Sequence, residues 1–160
     1  MVYEWRCGEY VISTDRERLD LGAVHGFLSR ASYWAGGITM EVVARSVEHS
    51  LPFGVYNTHQ QVGFARVITD YATFAYVADV FILAPFRGQG LGKWLMRTIV
   101  SHPDLQGLRR FLLATKDAHG LYAQCGFRAP EHPDAFMEIA PRNFYTRGRS
   151  DPGRMDPDRM

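Results

Sequence analysis

The residues best suited to chemistry lie around a glycine-rich turn in the middle of this chain. Residues 79–92 read Asp-Val-Phe-Ile-Leu-Ala-Pro-Phe-Arg-Gly-Gln-Gly-Leu-Gly, an apolar run that ends in three glycines, Gly88, Gly90 and Gly92. Glycine lets backbone N–H groups approach an anion, and the first turn of a following helix offers unpaired amides and a positive dipole end. The pattern predicts a phosphate-binding turn. A tight turn with solvated charges is the alternative interpretation.

Two common nucleotide-binding motifs do not fit this turn. A Walker A loop would need glycine at Arg87 and a hydroxyl residue at Trp94. A dinucleotide fingerprint would need glycine at Lys93 and an early strand–helix–strand unit, whereas this turn lies halfway along the chain. The spacing that does fit is Arg-x-x-Gly-x-Gly, which Arg87, Gly90 and Gly92 form at the end of a predicted strand.

This spacing resembles the acyl-CoA-binding motif of the GCN5-related N-acetyltransferase (GNAT) family. About thirty residues later, residues 120–127 read Gly-Leu-Tyr-Ala-Gln-Cys-Gly-Phe, which is similar to the family's Leu-Tyr-x-x-x-Gly-Phe segment. The resemblance covers about residues 8–140. It implies a single acyl-CoA N-acyltransferase domain over residues 1–140.

The resemblance also implies that acetyl-CoA binds along this stretch as a co-substrate, with no metal. Its pyrophosphate is expected on the backbone amides of the turn, and its pantetheine arm along the open backbone edge of the preceding strand. A backbone N–H of that strand can also stabilise the charge that develops on the thioester oxygen. The residues concerned are Val80, Phe81, Ile82, Arg87, Gly88, Gln89, Gly90, Leu91, Gly92 and Lys93.

Two polar residues are the main candidates for catalysis. The resemblance places a tyrosine at Tyr122, whose phenol, with an ordinary pKa of about 10, can protonate the departing thiolate; packing is its alternative role. Asp79 interrupts an apolar run just before the expected acetyl site, and a buried carboxylate needs a partner. Asp79 can relay the amine proton through water, bind the amine directly or be structural. Glu41 and His119 are secondary candidates for the base.

Aromatic residues in two places are candidate walls of an acceptor site. Tyr33 and Trp34 lie beside two glycines in a connection that we expect to be exposed, although packing onto the sheet would also explain them. Phe74 and Tyr76 precede Asp79, and a two-residue period predicts that they face one side of the sheet while Asp79 faces the other. These two rings fit either an amine-bearing small molecule or ordinary core packing.

The elements that position these residues follow from the spacing of apolar residues. The pattern predicts strands over 7–13, 53–56, 61–69, 73–83, 110–114 and 136–139, and helices over 15–29, 40–50, from Gly90 onward and over 118–125. Thr39 and Asp117 are the expected N-caps of two helices, and Gly126 lies where a left-handed C-cap is needed. This order predicts a three-layer α/β/α fold of the GNAT type with a mixed, mostly antiparallel sheet.

Composition limits the class of protein. A chain of 160 residues that is 46% hydrophobic fits one domain, and a net charge of +1 does not favour binding to nucleic acid or to a membrane. Cys7 and Cys125 form no paired motif, the first residues lack the basic and then apolar pattern typical of a signal peptide, and no long apolar run occurs, so we expect a cytoplasmic protein. Residues 141–160, rich in arginine, proline and aspartate, are expected to be a flexible tail.

Together the motifs predict an N-acetyltransferase. It would transfer acetyl from acetyl-CoA to a primary amine of a small molecule, by direct attack in a ternary complex. The alternative function is a non-catalytic CoA-sensing or protein-interaction module on the same fold. The resemblance further implies a possible homodimer, because the family often dimerises through late strands. The sequence leaves the identity of the acceptor amine open.

Overall fold

The structure, a computed structural model, describes residues 1–141 and Tyr145. Within them, six strands form one sheet in chain order, and every neighbouring pair is antiparallel except the last. The strands are β1 (Glu4–Cys7), β2 (Tyr10–Ser13), β3 (Leu51–Asn57), β4 (Gln60–Thr69), β5 (Phe74–Ile82) and β6 (Arg110–Leu113). The α-helices are α1 (Leu21–Arg30), α2 (Met40–Glu48), α3 (Leu91–Val100) and α4 (His119–Ala123). The prediction of a mixed, mostly antiparallel sheet is confirmed.

Helices cover both faces of this sheet and so form the three predicted layers. On one face, α1 and α2 pack their apolar sides against Phe64 of β4 and Phe81 of β5. On the other face, Leu95, Met96 and Ile99 of α3 pack against β3, β4 and β5. Burying apolar side chains on both faces is the main source of stability. None of the helices in the described residues is long and apolar enough to cross a bilayer.

The N-terminal elements differ from the prediction. The single strand expected over 7–13 is a hairpin of β1 and β2, because the chain reverses at Gly8, whose φ is +58°. The helix expected over 15–29 begins only at α1. Asp15 accepts a hydrogen bond from Glu17 N and caps a separate 3₁₀ turn, and Asp20 then caps α1 by accepting from Ala23 N. Two capping residues close together start two elements, which apolar spacing does not reveal.

Later in the chain, the structure agrees with two of the predicted capping residues and differs at a third. Thr39 caps α2 as predicted, by accepting from Val42 N, and Gly126 has a φ of +96°. Asp117 does not cap α4: the N-cap position is Ala118, whose N–H donates to Thr115 Oγ1 instead.

The last predicted strand, over 136–139, is not formed in the described part of the chain. Phe136 has extended backbone, but an apolar composition cannot supply a neighbour with which to pair. The predicted flexible tail, residues 141–160, lies outside the described residues except for Pro141 and Tyr145. Tyr145 packs against the core between α1, α2 and the sheet.

Strands β5 and β6 separate partway along their length, and this opening positions the candidate site. Their parallel pairing joins residues 74–77 of β5 to residues 110–113 of β6 and then ends. β5 continues to Ile82 on the β4 side alone. The edge of residues 78–82 that faces away from β4 therefore has no neighbouring strand among the described residues.

Candidate active site

The glycine turn leads directly from β5 into α3. Gly88 and Gly90 have φ values of +80° and +81°, the left-handed region in which glycine carries no steric penalty. Gly90 is the N-cap of α3, and no side chain in the described part of the chain caps this helix. The amides of its first turn therefore have no intrahelical acceptor and lie at the positive end of the helix dipole.

Two side-chain contacts hold this turn against the sheet. Arg87 Nε donates to the carbonyl oxygen of Ile82, 2.8 Å away, and Tyr10 Oη donates to Gln89 Oε1 at 3.0 Å. A Cβ added at Gly88 or Gly90 would have no atom of the described residues within 4 Å, so these residues leave the space outside the turn open. The turn combines a fixed backbone, uncapped amides and free volume, which suits a phosphate group.

Asp79 has an unusual backbone conformation at the point where β5 leaves β6. Its φ is +57°, which is uncommon for a residue other than glycine, and the β4–β5 register shifts beside it. Two residues, Asp79 and Val80, lie opposite Ala65 alone, which makes this a β-bulge.

The bulge reverses the alternation of side chains along β5. Ala75 and Val77 belong to the core under α3, whereas beyond the bulge Ile82 belongs to that core and Phe81 to the opposite one. The prediction that Tyr76 and Asp79 face opposite sides is therefore wrong. An extra residue in the strand brings both side chains to the same cavity.

Both carboxylate oxygens of Asp79 are engaged. Oδ2 accepts from Arg66 Nε of β4 at 2.6 Å, and Oδ1 accepts from the indole Nε1 of Trp34 at 2.9 Å. The Asp79 side chain is 9% exposed and that of Arg66 is 17% exposed. We call these three residues the Asp79 clamp. It joins β4, β5 and the α1–α2 connection through one carboxylate.

A cavity of about 600 Å³ lies where β5 and β6 separate. Its wall on the β5 side runs from Tyr76 to Val80, and its far wall runs from Leu113 to Ala118 beyond the end of β6. The connection between α1 and α2 contributes Tyr33 and Trp34, which are 55% and 40% exposed. The remaining walls include Arg66, Tyr122 and Tyr145.

Tyr122 reaches this cavity from α4 and is half-buried. Its ring meets the ring of Phe127 edge to face, with centroids 6.2 Å apart, and packs against the core under α3. Burial raises the pKa of the Tyr122 phenol, and the neighbouring Tyr33, Asp117 and Cys125 raise it further. A phenol whose pKa lies above its ordinary value of about 10 keeps its proton at neutral pH and remains a hydrogen donor.

The structure brings together most, but not all, of the predicted site residues. Asp79, Val80, Tyr122, Tyr33, Trp34 and Tyr76 line the cavity. Phe81 and Ile82 face the cores instead, where the Phe81 ring stacks on that of Phe27 at 4.0 Å. Their backbone, not their side chains, can meet a ligand.

Three predicted candidates lie away from the cavity. Phe74 begins β5 near the solvent and is 37% exposed, because the cavity starts only at Tyr76. Glu41 and His119, the secondary candidates for the base, are exposed on α2 and α4 and do not line it.

Sequence reasoning missed Arg66 and the segment after β6. Arg66 interrupts the apolar run of β4 much as Asp79 interrupts that of β5, so two opposite charges on neighbouring strands were a usable signal. In that segment, Lys116 N donates to Tyr33 Oη at 3.0 Å, and the Lys116 ammonium lies 5.6 Å from the centre of the Tyr33 ring.

No cluster of three or more metal-binding side chains occurs in the described residues.

Comparisons with known proteins agree with this geometry. The family model of the acetyltransferase (GNAT) family matches residues 2–127. The acetyltransferase-family protein FG08082 of Gibberella zeae is 32% identical over a 142-residue alignment that covers 75% of this chain and 79% of that protein. Glucosamine 6-phosphate N-acetyltransferase 1 of Oryza sativa subsp. japonica is 38% identical over 53 residues, 32% of each chain.

A solved structure extends the similarity to the whole fold. The crystal structure of a GNAT-family protein from Xanthomonas campestris pv. campestris superposes with a TM-score of 0.85 and 50% sequence identity. The match covers 88% of this chain and 99% of that one. With the family match over most of the chain, it shows that this protein belongs to the acetyltransferase (GNAT) family.

Proposed function

We propose that the protein transfers the acetyl group of acetyl-CoA to a primary amine of a small molecule. The observation that carries the proposal is the sequence of three features along one strand-to-helix unit: the cavity that contains Tyr122, the open edge of β5 beside it and the uncapped glycine turn that follows β5. Membership of the family supports the class of reaction. The rice relative supports an amine acceptor, because its name specifies an amino sugar phosphate.

In this proposal the turn and the strand hold the co-substrate. The backbone amides from Gly88 to Lys93 bind the pyrophosphate, and the open edge of residues 80–82 binds the pantetheine arm as an added strand would. Bound acetyl-CoA supplies the thioester. A backbone N–H of β5 donates to the carbonyl oxygen as negative charge develops on it.

Tyr122 acts as the general acid. The amine nitrogen forms a bond to the carbonyl carbon, the carbon–sulfur bond breaks, and one amine proton passes to water. The thiolate takes the phenolic proton of Tyr122, which solvent then restores. The raised pKa of Tyr122 keeps that proton in place until it is needed.

Of the three roles that the sequence left open for Asp79, we assign it the structural one. Both of its oxygens already accept hydrogen bonds from cationic or indole donors, which leaves it poorly placed to take an amine proton. The clamp instead fixes the bulge, and the bulge sets the direction in which the next backbone groups of β5 point. A cytoplasmic location and a homodimer remain predictions from the sequence.

A screen for thiol release tests the proposal. Purified protein is incubated with acetyl-CoA and a panel of small amines, and free CoA thiol is measured. We expect at least one amine to be acetylated, and Tyr122→Phe to lower kcat by about 10² or more with unchanged affinity for acetyl-CoA. Tyr71→Phe, which removes an exposed phenol outside the cavity, is the matched control. Acetyl-CoA binding without turnover of any amine would favour the non-catalytic CoA-sensing or interaction module.

A further inference from the structure

Arg66 has hydrogen-bonding capacity that the fold does not use. A guanidinium carries five N–H donors, yet in the described residues Arg66 donates only through Nε, to Asp79. In the described residues, the buried side-chain atoms without a hydrogen-bond partner are Tyr56 Oη and His102 Nε2. The two η-nitrogens of Arg66 also have no partner there but are not among these buried atoms. Arg66 lines the cavity and its side chain is 17% exposed, so we infer that these nitrogens can meet a ligand in the cavity.

We call the side of the guanidinium that carries the two η-nitrogens the free edge of Arg66. The Asp79 clamp fixes its direction. Asp79 holds the ε side of the guanidinium, and Trp34 in turn holds Asp79. The planar group is therefore oriented before any ligand arrives. A planar pair of donors with fixed direction matches the two oxygens of a carboxylate, which it can bind with two parallel hydrogen bonds.

The charges of the described cavity wall are balanced. Arg66 and Lys116 are cationic, and Asp79 and Asp117 are anionic. A simple ammonium or a simple carboxylate would add an unpaired charge to this wall. A molecule that carries both groups adds none, and the wall offers charges of both signs to receive it.

We propose that the acceptor is an amino acid, whose carboxylate binds the free edge of Arg66 while its amine faces the thioester. The proposal rests on the acetyltransferase function above and narrows its substrate class. Tyr33, Trp34 and Tyr76 supply the apolar surface for the side chain of that amino acid. Arg66 is then a specificity-determining residue.

The test uses pairs of acceptors that differ only in the carboxylate. Thiol release is measured with tryptophan and tryptamine, tyrosine and tyramine, and lysine and cadaverine, and in addition with glucosamine 6-phosphate and glucosamine. We expect the amino acid of at least one pair to exceed its decarboxylated partner in kcat/KM by about 10- to 100-fold, the range of a charge-assisted hydrogen bond. Equal or better use of the decarboxylated amines would overturn the proposal, as would a preference confined to the sugar phosphate.

Two variants separate carboxylate binding from the support of the clamp. Arg66→Lys keeps a cation beside Asp79 but loses the planar fork, so the preference within a pair should fall at least about 10-fold. Asp79→Asn keeps the guanidinium and one oxygen that can accept from Arg66 Nε, so both members of a pair should slow together and their ratio should fall less than in Arg66→Lys. An unchanged ratio in Arg66→Lys would contradict the assignment.

A binding measurement gives a readout that does not depend on turnover. Titration of the preferred amino acid into protein saturated with CoA should show a Kd about 10-fold or more weaker in Arg66→Lys than in the wild type. Failure of the wild type to bind acetyl-CoA would refute the proposed function itself. Acetyl-CoA binding with indifference to the carboxylate would refute only this inference.

Discussion

Two places on one strand-to-helix unit hold the backbone in the left-handed region, and they do so by different means. At Gly88 and Gly90 the residue type itself permits positive φ, and the space around each is open. At Asp79 the residue type permits it less readily than glycine does, and Arg66 and Trp34 hold the carboxylate. The backbone conformation of the turn follows from its own residues, whereas that of the bulge depends on contacts with other parts of the fold.

This difference bears on function. A turn formed by glycine needs no partner and leaves its amides free for an anion. A bulge formed by a carboxylate is stable only while its partners remain, so the same contacts that shape β5 also orient groups in the cavity. We therefore expect substitutions at the turn to change ligand affinity, and substitutions at the bulge to change stability together with turnover.

Asp79→Ala should give the largest loss of stability. It removes the carboxylate, leaves the charge of Arg66 unpaired in a largely buried place and keeps the unfavourable φ. We expect the free energy of unfolding in urea to fall by about 2–3 kcal/mol, below the range for a fully buried pair because both side chains retain some exposure.

Asp79→Gly gives the bulge the same residue type that the turn has at Gly88 and Gly90. It loses the same contacts but relieves the left-handed strain, which costs about 1–2 kcal/mol for a residue with a Cβ. We therefore expect Asp79→Gly to be about 1 kcal/mol more stable than Asp79→Ala, the reverse of the usual order in a strand. Ala78→Gly, next to it at an ordinary φ, should be destabilising. Equal stability of the two Asp79 variants would mean that the bulge is not strained.

Trp34→Phe should have a smaller effect. It keeps an aromatic ring beside Phe27 but removes the indole N–H that donates to Asp79. Because Trp34 is 40% exposed, water can replace part of this bond, so we expect a loss of about 1 kcal/mol in urea unfolding. In the Asp79→Ala background the same substitution should cost much less, since the acceptor is already gone. A full cost in both backgrounds would assign the effect to packing.

A pH series separates the clamp from another buried polar group. His102 is fully buried among the rings of Tyr3, Trp5 and Phe53, with Nδ1 accepting from Asp104 N and Nε2 unpartnered in the described residues.

Burial lowers the pKa of His102, against a smaller opposite effect of Asp104. Below about pH 6.5, His102 binds a proton in the unfolded chain but not in the folded one. The contribution of neutral His102 to the free energy of unfolding is therefore fully present above that pH and declines as pH falls.

His102→Asn keeps an acceptor for Asp104 N. In thermal unfolding below about pH 6.5, its free energy of unfolding should decline less steeply with falling pH than that of the wild type, by a few tenths of a kcal/mol per pH unit or more. The Asp79→Gly variant should retain the decline. If instead the decline persisted in His102→Asn and vanished in Asp79→Gly, the acid-sensitive group would belong to the clamp.

The comparison also explains what the sequence could predict. The conformation of Gly88 and Gly90 follows from their residue type, and Tyr122 was predicted as a site residue because its neighbours match a family segment. The bulge was not predictable, because the φ of Asp79 depends on partners 13 and 45 residues away in the chain.

The bulge, which the sequence did not predict, changed which side chains share the cavity. The error over Tyr76 and Asp79 follows from applying a strict two-residue period to a strand that contains a bulge. The layers of the fold were predictable because apolar spacing is a property of each helix and strand, whereas the Arg66 ion pair required the register between two of them.

The most direct test of the account is calorimetric titration of acetyl-CoA into the wild type and into two matched variants. Gly90→Glu places a Cβ and a negative charge in the turn, and Gly107→Glu makes the same change at a similar φ, +74°, beyond the other end of α3. We predict that the wild type binds, that Gly90→Glu weakens binding at least about 100-fold, and that Gly107→Glu stays within about 2-fold of the wild type. Absence of binding by the wild type, or equal binding by Gly90→Glu, would contradict the assignment of the glycine turn.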